Sequence, residues 1–318
     1  MKKVNRVAVV SDVWRANAIT HLAPHHADEV FATAMLSLIK EVHVFRTRDL
    51  ELILKVKDLK HKVVVYDVGG IYDPDLLFFD HHQESFEEHY SDFMKYSSAG
   101  LVWRRFSMEI LAKFDCPINL LVEASVVISD DLIYGIDLRN NGCASSGKEM
   151  SVSKMIDLFN PNWDEAKQDF DGAFLKAVKL AQEILVRKIR KTISSIKARE
   201  RIGDLIELSD GKLLIMSEFV GGWIENTLRS HNSKARRLIY GIFPDYDGEW
   251  RVQAIAPALN RMRDKRKPFP KAWCGVSRTE LVKITGIESA VFCHPNGFIA
   301  GALTYEDAIK IAELALAL

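Results

Sequence analysis

The sequence predicts an α/β protein, with a mainly parallel sheet flanked by helices and a second α+β domain. Two observations support this prediction. Strand-like and helix-like segments alternate over roughly the first 80 residues, which is typical of a parallel sheet. Short strand-like runs separated by turn residues return after about residue 203. At 318 residues the chain is also long for a single domain.

In the amino-terminal half, apolar runs predict strands and helical spacing predicts the segments between them. Val30, Ala34 and Leu38 recur at helical spacing, for example, and predict a helix over 27–40. The predicted strands are 6–12 (continued or repeated by 16–20), 42–46, 62–67 and 76–79. The predicted helices are 27–40, 49–57, 97–113 and 119–136.

In the carboxyl-terminal half, a long amphipathic run over 163–201 predicts one or two helices. Short strands follow at 213–216, 237–242, 251–255 and 290–292, and Thr304 begins a last helix over 305–316. We therefore expect a catalytic domain at 1–160, a helical connector at 161–202 and an α+β domain at 203–318.

Composition narrows the class of protein. The 43 basic and 43 acidic residues cancel, so no overall field attracts the chain to nucleic acid or to an anionic membrane, although a local basic groove stays open. The four cysteines form no CxxC pair, which favours a reducing compartment. No apolar run reaches transmembrane length. We expect a cytoplasmic protein without membrane association.

Acidic residues and histidines follow two neighbouring predicted strands. Asp67 comes directly after Val63–Tyr66, and Asp80-His81-His82 comes directly after Leu76–Phe79. Because open α/β sheets build their sites at the carboxyl ends of strands, these side chains should lie close together. Core packing does not require Asp-His-His after a buried strand, so this stretch predicts a functional site.

A second group of such residues lies upstream. His21, His26 and Asp28 occupy a loop that enters a predicted helix. Together with Asp67 and His81 they predict a metal site. Mixed imidazole and carboxylate ligands suit Mn²⁺, Zn²⁺, Co²⁺ or Fe²⁺ better than Mg²⁺ or Ca²⁺. There are enough ligands for two divalent metal ions that share one carboxylate.

Several motifs resemble the Myg (melanocyte-proliferating-gene) family, which is similar to the DHH phosphoesterases. The matching stretches are His21-x4-His26-x-Asp28-Glu29, Asp67-Val68-Gly69-Gly70-x-Tyr72-Asp73-Pro74, Asp80-His81-His82-Gln83-x-Ser85-Phe86, Ser97-Ser98-Ala99-Gly100, Trp250-Arg251-Val252-Gln253 and His294-x-x-Gly297-Phe298-x-x-Gly301. The resemblance spans nearly the whole chain and implies a DHH-like fold.

The resemblance also implies a ligand set for two manganese ions. His21, His26 and Asp67 would hold one ion, and Asp28, Asp67 and His81 would hold the other together with a later aspartate. That later ligand is expected to be Asp137, because Asp137-x-x-Asn140-Asn141-Gly142 resembles the family's Asp-x-x-Asp-Asn-Gly. Asn140 stands where the family has aspartate, and Asp130 and Asp131 remain alternatives.

The same site predicts catalytic roles. Asp80 is expected to orient an imidazole through a hydrogen bond. His82 is expected to contact the phosphate or to protonate the leaving oxygen. Glu29 is expected to cap the helix that begins beside it, with a role as a base behind the ligands as the alternative.

Substrate binding is assigned to the carboxyl-terminal region, at Arg251, His294, Gly297, Phe298 and Gly301. The glycines would let the backbone approach a phosphate, and Arg251 and His294 would donate to it; a plain turn between a strand and a helix is the alternative. A basic stretch over 261–273, which contains Phe269 and Trp273, is either a contact for single-stranded nucleic acid or a solvated loop.

The predicted function is that of a metal-dependent phosphodiester hydrolase. The resemblance implies a 3′-to-5′ exonuclease on single-stranded RNA or short oligonucleotides, with two divalent ions, Mn²⁺ first. The alternatives are a small-substrate phosphoesterase or pyrophosphatase, and a metal-binding module that binds nucleic acid without turnover. Assembly into a homo-oligomer is left open.

Overall fold

The computed structural model describes residues 4–58, 63–90, 94–143, 149–209 and 211–318. The chain divides into two compact units, Met1–Ile193 and Ser194–Leu318. Within the described residues no helix is both long and apolar enough to cross a membrane.

The first unit contains one six-stranded sheet and its flanking helices. Its strands are β1 (Val7–Val9), β2 (Ala18–Thr20), β3 (Val42–Arg46), β4 (Val64–Tyr66), β5 (Tyr72–Asp73) and β6 (Phe78–Phe79). Its helices are α1 (Ala27–Ser37), α2 (Leu50–Asp58), α3 (Ser98–Lys113), α4 (Leu121–Ile128), α5 (Tyr134–Asn140), α6 (Val152–Asp157) and the first part of α7 (Phe170–Leu208).

The sheet order is β1-β3-β2-β4-β6-β5, and only the β5–β6 pair is antiparallel. The predicted α/β class with a mainly parallel sheet is therefore confirmed. Strands β2, β4 and β6 are neighbours and parallel, so the residues that follow them meet at one edge of the sheet. Asp67 itself has a φ of 58°, a left-handed conformation that is costly for a residue with a side chain.

Two helical predictions differ from the structure in their boundaries. The predicted helix over 119–136 is interrupted by a wide π-helical turn at Ser129–Ile133, which separates α4 from α5. The run predicted over 163–201 forms one helix, α7, which crosses from the first unit into the second. Apolar residues such as Phe174, Val178 and Leu185 bury one face of α7, which explains its amphipathic pattern.

The second unit contains a five-stranded sheet with helices, so the predicted α+β region is also confirmed. Its strands are β7 (Leu213–Ile215), β8 (Tyr240–Pro244), β9 (Trp250–Ala254), β10 (Ala290–Cys293) and β11 (Ile299–Ala302), in the order β10-β11-β9-β8-β7. Its further helices are α8 (Trp223–Arg229), α9 (Arg278–Thr285) and α10 (Tyr305–Ala317). Thr304 caps α10 by accepting a hydrogen bond from the Asp307 amide, as predicted.

Candidate metal centre

Two clusters of possible metal ligands lie at the edge of the first sheet, and Asp67 belongs to both. One cluster joins His21, His26, Glu29 and Asp67, and the other joins Asp67, His81 and His82. In each cluster the ligand atoms lie within 4.8 Å of one another. The predicted ligands that follow β2 and β4 are thus brought together, because those strands are adjacent.

His21 is held so that one ring nitrogen points into the first cluster. Its Nδ1 contacts the Leu22 carbonyl oxygen at 2.5 Å, which makes Nδ1 the donor. Nε2 then lies 3.2 Å from Asp67 Oδ2 and 3.3 Å from Glu29 Oε1. Burial alone would lower the pKa of His21, but hydrogen bonds to Asp67 and Glu29 outweigh it and raise the pKa to about 10.

Glu29 caps α1, as predicted, and its carboxylate also faces the first ligand cluster. Its carboxylate accepts from the His26 amide at 2.9 and 3.0 Å, which completes a capping box at the start of α1. Its Oε1 also faces His21, and the side chain is fully buried. The cap explains why sequence reasoning did not count Glu29 as a ligand. Its position directly after Asp28, in a His-x-Asp-Glu run, was the available signal.

The second cluster is formed around Asp67 by the two histidines that follow β6. His81 Nε2 lies 3.4 Å from Asp67 Oδ1, and the Nδ1 of the more exposed His82 lies 3.8 Å from the same oxygen. Burial tends to lower the pKa of His81, but the neighbouring carboxylates of Asp67 and Asp28 raise it to about 9. Burial alone would raise the pKa of Asp67, but the neighbouring His21 and His81 imidazoles hold it well below its usual range.

Asp80 is positioned to orient His82. Its Oδ1 accepts from His82 Nδ1 at 2.7 Å and from the His81 amide at 2.8 Å, while Oδ2 accepts from the Gly70 amide at 2.6 Å. Burial alone would raise the pKa of Asp80, but these donors hold it below its usual value. The hydrogen bond to Asp80 therefore holds the His82 ring at Nδ1. The His82 side chain is 61% exposed, so the rest of the ring is open to solvent.

Asp28 lies beside the second cluster and at the start of α3. Its carboxylate accepts from the Ser98 amide at 3.0 Å and from the Ala99 amide at 2.5 Å, and Oδ2 lies 3.5 Å from His81 Nε2. Asn140 completes this corner, because its Nδ2 donates to Asp28 Oδ2 at 3.0 Å and lies 3.2 Å from His81 Nε2. Burial and the neighbouring Asp67 charge raise the pKa of Asp28.

Asp137 lies behind Asp28 and belongs to neither ligand cluster. Its Oδ1 accepts from Ser97 Oγ at 2.6 Å and from the Gly100 amide at 3.1 Å, and its Oδ2 accepts from Tyr90 Oη at 2.8 Å. Burial raises the pKa of Asp137 to about 6, although these hydrogen bonds oppose the shift. The residue of α5 that contacts Asp28 and His81 is Asn140, three residues later.

The alternative aspartates lie on the π-helical turn and belong to neither cluster. Asp131 forms an ion pair with Lys188 of α7, and Asp130 is exposed. Neither contributes to a group of ligands among the described residues.

The donor set fits divalent metal ions. Asp67 Oδ1 is buried and accepts no hydrogen bond from the described residues, although two imidazoles lie near it. A buried, unsatisfied carboxylate oxygen is costly unless a cation or a proton neutralises it. Imidazole nitrogens and carboxylate oxygens around that atom are the ligands that Mn²⁺, Zn²⁺ and Fe²⁺ accept.

The predicted substrate-binding residues all lie in the second unit, and two have structural roles. All three guanidinium nitrogens of Arg251 donate to carboxylates, those of Asp245, Asp247 and Glu249. Gly301 lies inside β11, a strand that was not predicted because its residues are mostly small. A Cβ on Gly301 would lie 2.6 Å from the Phe292 ring and 2.9 Å from Arg251 Nη1. The glycine is therefore required for packing.

His294, Gly297 and Phe298 form the turn between β10 and β11. The Gly297 amide donates to the His294 carbonyl at 2.8 Å, and Gly297 has a left-handed φ of 59°. The His294 and Phe298 rings are 4.5 Å apart between centroids. These residues therefore form a plain turn, which was the alternative to phosphate binding. The turn joins two strands and not a strand and a helix.

The basic stretch over 261–273 divides into buried and open parts. Phe269 and Trp273 are buried in the core of the second unit, so neither ring is available for stacking on a base. Arg266 donates to backbone carbonyls, including that of Leu238 at 2.6 Å. Arg263 and Lys265, in contrast, line a cleft of about 360 Å³ that also contains Gln253, Met262, Asn296 and Phe298.

Comparison with known sequences identifies relatives over almost the entire chain. The profile described as "Uncharacterised protein family (UPF0160)" matches residues 17–316. The MYG1 exonuclease of Mus musculus is 29% identical over 94% of this chain and 84% of its own length. The MYG1 protein of Dictyostelium discoideum is 30% identical over 92% and 94%. The MYG1 protein YER156C of Saccharomyces cerevisiae is 28% identical over 100% of both.

Comparison with solved structures pairs the chain with RecJ from Thermus thermophilus in complex with Mn²⁺, at 13% identity and a TM-score of 0.29. That alignment covers 96% of this chain and 53% of RecJ, so the chain spans about half the length of RecJ. The family resemblance that the motifs predicted is confirmed by the sequence matches. This chain is a member of the MYG1 family, the uncharacterised protein family UPF0160.

Proposed function

We propose that this protein is a metal-dependent phosphodiester hydrolase that acts as a 3′-to-5′ exonuclease on single-stranded RNA or short oligonucleotides. The observation that carries the proposal is Asp67, which two His-containing clusters share and which has a buried oxygen without a hydrogen-bond partner among the described residues. The name "MYG1 exonuclease" of the mouse and rat relatives supports an exonuclease. The choice of RNA and the direction of degradation follow from the motif resemblance.

Two divalent ions would be held by the two clusters. His21, His26, Glu29 and Asp67 would hold one ion, and the other would be held by Asp67 and His81 with Asp28 beside them. Mn²⁺ is the first candidate, and Zn²⁺, Co²⁺ and Fe²⁺ suit the same ligands. When bound, two such ions lower the pKa of a water molecule and neutralise charge on the phosphoryl oxygens.

The protein's own acid would be His82. The Asp80 carboxylate fixes its Nδ1, so the remaining nitrogen, Nε2, is the one that can donate a proton to a leaving oxygen. Asp80 would also stabilise the charged imidazolium from which that proton comes. The exposure of the His82 ring leaves room for a polymer to approach it.

The second unit has a cleft of its own whose lining suits single-stranded nucleic acid. The cleft that Phe298 lines combines an aromatic ring with the cationic side chains of Arg263 and Lys265. Aromatic rings stack on bases, and cationic side chains attract the phosphate backbone. This pairing supports a polymer or an oligonucleotide as substrate more than a small inorganic phosphate compound.

The test is hydrolysis of a 5′-labelled single-stranded RNA by the purified full chain with Mn²⁺. We expect a ladder of products that shortens from the 3′ end. Asp67→Ala should abolish the ladder, because it removes the shared ligand. His82→Gln should slow turnover while the bound Mn²⁺, measured by elemental analysis, stays close to that of the unaltered protein.

Three outcomes would contradict the proposal. Intact RNA with the unaltered protein would exclude the exonuclease, and dinucleotides and pyrophosphate would then be tested as substrates. Equal activity in the Asp67 variant would place the chemistry elsewhere or reveal a contaminating nuclease. Loss of Mn²⁺ in the His82 variant would make that residue a ligand and not the acid.

A further inference from the structure

A cleft of about 440 Å³ opens beside the metal centre within the first unit. His26 and Asp28, from the start of α1, line one part of it. The rest includes Arg139 and Asn140 of α5 and Ser153 and Lys154 of α6. A volume of this size is typical of pockets that bind small organic molecules.

The cleft is continuous with the candidate metal centre through Asn140. Its side chain lines the cleft and also donates to Asp28 Oδ2, 3.0 Å away, beside His81. His26 likewise belongs to the first ligand cluster and to the cleft wall. A substrate whose phosphodiester lies at the metal centre can therefore extend into the cleft.

Two of the side chains that line the cleft are cationic and can bind an anion. Arg139 is exposed, and its guanidinium forms no hydrogen bond or ion pair with the part of the chain that the structure describes. Lys154 adds a second cationic group, whose Nζ also donates to the Glu149 carbonyl at 3.0 Å. Asp28 and Asp157 are the acidic residues of the lining. The Asp28 carboxylate accepts from the Ser98 and Ala99 amides, and Asp157 Oδ1 accepts from Asn160 Nδ2 at 3.3 Å.

The wall formed by α6 is attached to the loop that carries the metal ligands. Asn160 Oδ1 accepts from the His25 amide at 3.0 Å, and Asn160 Nδ2 donates to the His25 carbonyl at 2.8 Å. The buried His25 ring also contacts the Ile156 carbonyl through Nε2 at 3.3 Å. The backbone of α6, which carries Ser153 and Lys154, is thereby held next to the loop that carries His26.

We infer that this cleft binds a second phosphate of the substrate, one nucleotide away from the phosphodiester that is cut. Arg139 and Lys154 supply the cationic donors, and the Ser153 hydroxyl supplies a neutral one. The inference rests on the proposed function, since it names a position for the substrate of that same site. Its consequence is a preference for substrates that carry at least two phosphates.

The experiment compares an RNA dinucleotide with the same dinucleotide carrying a phosphate at its 5′ end or, separately, at its 3′ end. The unaltered protein should show a higher kcat/KM for one of the two phosphorylated forms, and that form identifies the side on which the cleft lies. Arg139→Gln and Lys154→Gln should each reduce this preference by about ten- to a hundredfold, the usual effect of losing one charge-assisted hydrogen bond.

Arg190→Gln is the matched control, because Arg190 is exposed on α7 and is not part of the cleft lining. It should leave the preference unchanged. An unaltered protein that cleaves all three dinucleotides equally, or a preference that survives in both cleft variants, would overturn the inference while the proposed function stands.

A binding measurement tests the cleft even if the proposed function is wrong. If the unaltered protein cleaves none of the dinucleotides, calorimetric binding of the phosphorylated forms decides the matter. Weaker binding to the Arg139 variant than to the Arg190 variant would support an anion site in the cleft. Equal binding to both variants would refute it.

Discussion

Asp137 is the ligand predicted on α5, but neither ligand cluster contains it, and Asp137→Asn tests whether it holds a metal ion. The substitution keeps the shape of the side chain but removes its charge. Asp137 belongs to neither ligand cluster, so we expect Mn²⁺ to bind the variant with nearly unchanged affinity and stoichiometry. Loss of a true ligand would instead weaken binding strongly.

The same substitution should stabilise the metal-free protein at neutral pH. Burial raises the pKa of Asp137 from 3.8 to about 6, so the folded state keeps the proton between these values while the unfolded state releases it. The free energy of unfolding therefore falls as pH rises through this window. The shift of roughly 2 pKa units corresponds to a loss of about 3 kcal/mol, which is fully reached only above the folded-state pKa.

Asparagine avoids this loss because it is neutral at every pH. Its amide oxygen can still accept from the Gly100 amide, and its amide nitrogen can donate to Tyr90 Oη. One amide hydrogen is left without a partner, which costs about 1 kcal/mol. A net gain of about 2 kcal/mol is expected above pH 7, and the slope between pH 4 and 6 should become flatter.

The assay is denaturant unfolding of the two proteins in EDTA across this pH range, with Mn²⁺ titration by calorimetry near pH 7.5. Asn140→Asp is the informative counterpart, because it places a second carboxylate against Asp28 and His81. That variant should lose stability without metal and bind Mn²⁺ more tightly. The reasoning is refuted if Asp137→Asn loses Mn²⁺, or if its unfolding has the same pH dependence as the unaltered protein.

Three further predictions concern other parts of the molecule. Mn²⁺ binding near pH 7 should release about two protons. Without metal, His21 and His81 have pKa values of about 10 and 9, so each must lose a proton to bind the ion. Calorimetry in buffers of different ionisation enthalpy measures the number of protons released. Gly301→Ala should destabilise the second unit by about 1–3 kcal/mol, because its Cβ would meet the Phe292 ring. Asp80→Asn should lower turnover about ten- to a hundredfold, because the imidazole of His82 keeps only a neutral acceptor, which stabilises its charged form less.

Each of these has its own control. Proton release that stays near zero at pH 7 would show that the imidazoles are already neutral before metal binds. Gly301→Ala should not change Mn²⁺ affinity, since its neighbours lie in the second unit; a loss of metal would contradict the packing explanation. Asp80→Asn should retain bound Mn²⁺, and unchanged turnover would exclude Asp80 from the mechanism.

Sequence reasoning located the core of the candidate site because the sheet topology is simple. Consecutive parallel strands place their carboxyl ends on one edge, so His21, Asp67 and Asp80 had to be close once β2, β4 and β6 were recognised. The same reasoning could not locate the cleft. Its walls come from helices α5 and α6, and their distance from α1 depends on tertiary packing that no local pattern encodes.

Composition was a poor guide in the second unit for a physical reason. A loop rich in cations with Phe269 and Trp273 has the composition of a nucleic-acid contact, yet those rings fill the core. Aromatic side chains remove large apolar areas from water whether a base or a protein core covers them. Arg251 shows the same ambiguity, since three carboxylates of nearby residues can bind a guanidinium as well as a phosphate can.

The difference between the predicted role of Asp137 and its contacts in the structure has a similar cause. The two residues are three apart on α5 and share a face, so pattern alone favours the one with the charge as a ligand. The Asp137 carboxylate accepts hydrogen bonds from Ser97 and Tyr90, which are 40 and 47 residues away in the sequence. Those partners become visible only when α3 is packed against α5. Here the Asp137 carboxylate already accepts hydrogen bonds from Ser97, Gly100 and Tyr90, and the side chain of α5 that contacts Asp28 and His81 is the neutral amide of Asn140.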